Sequence, residues 1–208
     1  MRPRSTVLAA LVTALGLSLA GCGQQARVPP GEQPEANSRG PGLSAEEARL
    51  QSDTTLWADG YCGAVSQLVS SLAQMPSVDP STPRRASRTS SDLLGVMIDG
   101  LERTVVRLEG LGPAPVPGAD DVKTKAVRTY TAIRDRALGA KQDLDAAADA
   151  EASRAAMSSA EGPLDEIGRL NLLEGFDSIP ELKTASLRAP TCRQLTEESP
   201  APRFDPPA

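Results

Sequence analysis

Three thiols carry the most specific chemistry in this 208-residue chain: Cys22, Cys62 and Cys192. Cys22 stands at the end of an apolar run, Val7 to Leu19, that follows Arg2 and Arg4 and closes in small residues. A positive start, an apolar middle and a small-residue cleavage point make a secretory signal. The run is well short of the ~20 apolar residues that a bilayer span requires. Export places Cys62 and Cys192 in an oxidising compartment as an even pair, where a disulfide is the expected outcome.

The quartet Leu19-Ala20-Gly21-Cys22 resembles the bacterial lipoprotein signal. That resemblance implies that the Cys22 thiol receives a diacylglyceryl group and becomes the acylated N-terminus, usually with a third chain, which anchors permanently. The expected localisation is the extracytoplasmic face of the cell membrane. The expected division is a cleaved signal peptide at 1–21, a lipidated N-terminus and linker at 22–43, a helical domain at 44–195 and a disordered tail at 196–208. Residues 23–42 are rich in Pro, Gly and Gln and cannot bury enough surface to offset ordering entropy. Extended, this spacer lifts the domain at most about 65 Å.

Composition removes several function classes. Cleavage after residue 21 takes Arg2 and Arg4 from the 22 basic residues and none of the 27 acidic ones, moving the net charge from -5 to -7. With that charge and only Trp57, Tyr61, Tyr130, Phe176 and Phe204 as aromatics, the chain has neither the basic footprint nor the stacking platforms of nucleic-acid binders. Histidine is absent, which removes the commonest general base and the commonest transition-metal ligand. No Gly-x-Ser-x-Gly occurs, and no Ser-x-x-Lys pair has companion hydrolase motifs. Asp143, Asp145, Asp149 and Glu151 form an acidic run without the alternating ligands and central glycine of a calcium loop, and read as a solvated helix end. No catalytic residue, metal site or cofactor is expected.

Two candidate sites remain. Arg84, Arg85 and Arg88 are a basic cluster in an acidic chain, suited to a phosphate or carboxylate on a partner, or else a solvated first turn. Trp57 and Tyr61 lie one helical turn apart and, with Tyr130, could line a ligand pocket, although core filling accounts for them.

The elements that position these residues are helical throughout. Ser44-Ala45-Glu46-Glu47 has the form of a capping box, and Leu50, Thr54, Trp57, Tyr61, Ala64, Leu68 and Leu72 then follow at steps of three and four until Pro76. Thr82-Pro83 starts a second helix striped by Leu94, Met97, Leu101, Val105 and Leu108, which Gly110 and Gly112 stop. A third opens at Gly118, with Asp120 and Asp121 in its first turn, and runs through Ala126, Tyr130, Ile133, Ala137, Ala140, Leu144 and Ala147. A turn near Asp145 to Glu151 is expected, because an unbroken helix would outrun its partners. The fourth helix carries Met157, Ala160, Leu164, Ile167 and Leu170, kinks at Gly162-Pro163 and closes at Gly175. A short helix from Pro180 carries Leu182, Ala185 and Leu187. The fold class is all-α: an up-down-up-down four-helix bundle with a short extra C-terminal helix and one disulfide.

Trp57 with Tyr61-Cys62, Leu108 to Pro113, Pro180-Glu181-Leu182 and Ala189-Pro190-Thr191-Cys192 are similar to the small helical lipoproteins of actinobacteria. Abundant arginine, alanine and proline fit the GC-rich codon usage of such a source. The resemblance implies a disulfide-bonded helical bundle and carries no activity. The function expected is a membrane-anchored, non-catalytic interaction or scaffold module whose partners are the membrane, through its anchor, and an envelope protein. The alternative is an extracytoplasmic protein binding a small or lipidic ligand inside the bundle.

Overall fold

The computed structural model describes residues 42–198, and among these the regular structure is entirely helical. The signal at 1–21, the lipidation site Cys22, the linker up to residue 41 and the tail beyond residue 198 lie outside the described residues. No described helix is long and apolar enough to cross a membrane.

Helix α1 spans Ala45–Leu72 and begins where the local chemistry dictates. The Ser44 hydroxyl accepts from the Glu47 amide, and the Glu47 carboxylate accepts from the Ser44 amide, so two donors at the helix start are satisfied reciprocally. Helix α2, Pro83–Glu109, is capped by Thr82, whose hydroxyl accepts from the Arg85 amide. Helix α3, Ala119–Ala146, follows Gly118, which adopts a φ of 81° that disfavours side chains. Helix α4, Ala150–Gly168, is capped by the Asp149 carboxylate. The break between α3 and α4 falls where the sequence places it.

The C-terminal region departs from expectation. Helix α4 ends at Gly168 rather than continuing through Leu170, and turns then lead to Gly175 and a 3-10 turn at Phe176–Ser178. Two short helices follow instead of one: α5, Pro180–Arg188, and α6, Pro190–Glu198. Pro190 causes the division, since it cannot donate to the preceding turn but suits a first helical position.

Packing explains two further differences. Helix α2 packs on α1, α3 and α4; α3 also packs on α4; and α5 and α6 cover another flank of α1. Covered on two sides, α1 buries Ala58, Cys62 and Val65 in addition to Thr54, Trp57, Tyr61, Ala64 and Leu68. Leu50 and Leu187, both assigned to apolar stripes, are instead 44% and 69% exposed. Both lie near helix ends. Cys62 and Cys192 are joined in a disulfide that fastens α6 to the middle of α1. A hydrogen bond from the Thr191 amide to the Asp59 carboxylate at 2.8 Å supports the same junction.

Candidate functional site

The three arginines stand on the wall of a concavity of about 820 Å³ between the start of α2, the end of α3 and the start of α4. Thr82 and Pro83 fix the first turn of α2, and from it Arg84 and Arg88 project one helical turn apart, at neighbouring positions of one face. Arg85 turns toward the preceding loop and pairs with Asp79 at 3.2 Å. The Ser81 hydroxyl and amide, together with Arg85, hold the Asp79 carboxyl below its ordinary range. Arg84 and Arg88 have no carboxylate within ion-pair distance among the described residues.

The floor of the concavity is a polar junction between α2 and α3. The Ser87 hydroxyl donates to the Leu144 carbonyl at 3.0 Å and thereby satisfies the end of α3. Beside it, Ser91 donates to one Asp145 oxygen at 2.5 Å, while the Lys141 ammonium donates to Ser91 at 2.8 Å and to the other Asp145 oxygen at 2.9 Å. The Lys141 and Ser91 bonds hold the Asp145 carboxyl below its usual range, Lys141 contributing more. Lysine, serine and aspartate in mutual contact invite comparison with a nucleophilic site. In this arrangement, however, Lys141 acts only as a donor and the Ser91 proton is directed at Asp145, so the three groups lock α2 to α3. Ser91, only 3% exposed, is a member of that junction.

Lys141, Ser91 and Asp145 were not singled out together in the sequence. Ser91 lies 50 residues before Lys141 and 54 before Asp145, and no local motif connects it to them. A retrospective signal exists in the i, i+4 spacing of Lys141 and Asp145, which permits the ion pair on α3. The rest of the acidic run is dispersed: Asp149 caps α4, and no grouping of three metal-ligating side chains occurs among the described residues.

Trp57, Tyr61 and Tyr130 are brought together in the interior as packed core. Tyr61 stacks on Trp57 with ring centres 5.8 Å apart and tilts against Phe176 at 4.9 Å. The Trp57 indole donates to the Gly112 carbonyl at 3.2 Å, which ties the α2–α3 connection to α1. The space beside Tyr61 and Tyr130 measures about 20 Å³, enough for one water molecule.

Burial pushes the Tyr61 phenol up to about 12, with a hydrogen bond to Tyr130 working in the opposite direction. Burial also raises Tyr130, and its interaction with Tyr61 adds to the effect. A phenol whose folded value exceeds its unfolded value keeps its proton longer in the native state. Stability is therefore unaffected below about pH 10 and falls as pH rises from there toward the folded values. Tyr61 and Tyr130 are the only tyrosines, so phenolate absorbance reports on them alone. Native protein should show none of the ionisation near pH 10 that the denatured chain shows. A tyrosine ionising there with helicity intact would contradict the buried pair.

No family model matches this chain, and no similar curated protein or solved structure was found.

Proposed function

We propose that this chain is a lipid-anchored protein of the cell envelope that acts by binding, with the arginine-walled concavity as its contact face. The observation that carries the reading is the coincidence of the basic cluster with a concave surface whose floor is locked by the Ser91–Lys141–Asp145 junction. Two cations with no ion pair among the described residues, held at the start of a helix, suit recognition of an anionic group on a partner. In the proposed architecture α1 to α4 run up-down-up-down, and α5 and α6 return the C-terminal region onto α1. The Leu19-Ala20-Gly21-Cys22 quartet supports acylation of Cys22 and residence on the extracytoplasmic face of the membrane. Tethering there raises the effective concentration of the face toward envelope partners, so modest affinity suffices.

One comparison tests both halves of the proposal. Wild type, Cys22→Ala and the double reversal Arg84→Glu/Arg88→Glu are expressed in a bacterial host, labelled with palmitate, fractionated and crosslinked in intact cells. Cys22→Ala should lose the label and the membrane association. The double reversal should keep both, together with helicity, while its crosslinked partners fall about tenfold, equivalent to about 1.4 kcal/mol of binding. Label retained on Cys22→Ala would overturn the anchor, and undiminished crosslinking by the double reversal would overturn the contact face.

A further inference from the structure

Resting on the reading of this concavity as a contact face, the geometry points to a phosphomonoester on a small polar body as the ligand group, seated between Arg84 and Arg88. Of the four cations lining the concavity, two are already engaged: Arg85 by Asp79, and Lys141 by Asp145. Arg84 and Arg88 retain their charges, and Asp92, one turn further along α2, pairs with neither. A carboxylate brings one negative charge and two oxygens, and would leave one of the two guanidinium groups uncompensated. A phosphomonoester brings a charge of about -1.5 to -2 and three terminal oxygens at neutral pH, which matches two forked donors one helical turn apart.

The remaining space sets the character of the rest of the ligand. About 820 Å³ is far more than a phosphoryl group fills and lies within the range of small-molecule sites. Apart from Leu144 and Ala147, its lining is polar or charged, so the body attached to the phosphate is a polar alcohol rather than a hydrocarbon. The Ser87 and Ser91 protons are committed to Leu144 and Asp145, which leaves the arginines as the principal donors. A phosphomonoester on a glycerol oxygen is common to a free polyol phosphate and to phosphatidic acid, whose acyl chains would stay in the membrane and outside this polar concavity.

The full chain, purified in mild detergent, is titrated calorimetrically with glycerol 3-phosphate, with succinate as the dicarboxylate comparison. In parallel, the full-length Cys22→Ala variant is floated with vesicles containing phosphatidic acid or, for comparison, phosphatidylglycerol, a monoanionic diester. Saturable binding is expected in at least one phosphomonoester arm, weakened at least about tenfold by Arg84→Gln/Arg88→Gln. Arg128→Gln, on α3 outside the concavity, should leave it unchanged. Binding confined to glycerol 3-phosphate supports a free ligand; binding confined to phosphatidic acid vesicles supports a lipid headgroup. Equal affinity for succinate, equal flotation with phosphatidylglycerol, or no saturable binding in either phosphomonoester arm overturns the inference. If crosslinking to envelope partners still depends on Arg84 and Arg88 after such a failure, the contact face stands and only the ligand assignment falls.

Discussion

Reduction of the Cys62–Cys192 bond, or its removal as Cys62→Ala/Cys192→Ala, should lower the free energy of unfolding by about 5 kcal/mol, the largest single effect expected in this protein. The bond closes a loop of 130 residues, and in the chain-entropy account the denatured ensemble gains most when so long a loop is opened. Without the bond, α6 is held to α1 by the Thr191–Asp59 hydrogen bond and by the burial of Ala189 and Leu195. In urea the midpoint should fall by about 2.5 M, for a slope of ~2 kcal/mol/M. Amide exchange should become fastest in α6 and then α5, ahead of α2 and α3. A change below about 1 kcal/mol, or exchange that accelerates uniformly, would show that the C-terminal helices are held chiefly by packing.

Tyr61→Ala should cost about 3–5 kcal/mol, in the range of large aromatic truncations in close-packed interiors. Tyr61 is 1% exposed and touches Trp57 on its own helix and Phe176 from the 3-10 turn, so its removal opens a cavity where α1 meets that turn. Tyr61→Phe keeps the ring and removes only the hydroxyl, and should cost about 1 kcal/mol. The contrast separates packing from polarity. Thermal unfolding of the two variants and wild type, followed by near-ultraviolet dichroism of Trp57, measures it. Near-equal losses would mean that the hydroxyl pair, rather than the aromatic contact, dominates there. If the arginine face acts alone in recognition, phosphomonoester binding by folded Tyr61→Phe should equal that of wild type.

The local elements were legible because the interactions that begin and end helices are themselves local. Ser44 with Glu47, Thr82 with Pro83, and Gly118 before Asp120 and Asp121 each satisfy or shape the first turn beside them. The helical periodicity likewise identified Tyr130, Ile133, Ala137, Ala140 and Leu144 as a buried face. It failed at Leu50 and Leu187, because a stripe records which side of a helix is apolar but not how completely a neighbour covers it. It also missed how much of α1 is covered, since Ala58 and Val65 are individually unremarkable until the neighbouring helices are laid against them.

The candidate site divides along the same line. Residue types were enough to single out Arg84, Arg85 and Arg88 as a basic cluster, and an even pair of cysteines in an expected exported chain was enough to anticipate the bond. Only the tertiary structure decided that Arg85 is spent on Asp79, that the space beside Tyr61 and Tyr130 is no larger than a water molecule, and that Ser91 meets Lys141 and Asp145 to floor a concavity. The physical reason is range. Capping, helix propensity and apolar periodicity act over three or four residues and are written in consecutive letters, whereas a concave surface exists only after helices distant in sequence pack and their polar side chains select partners from one another.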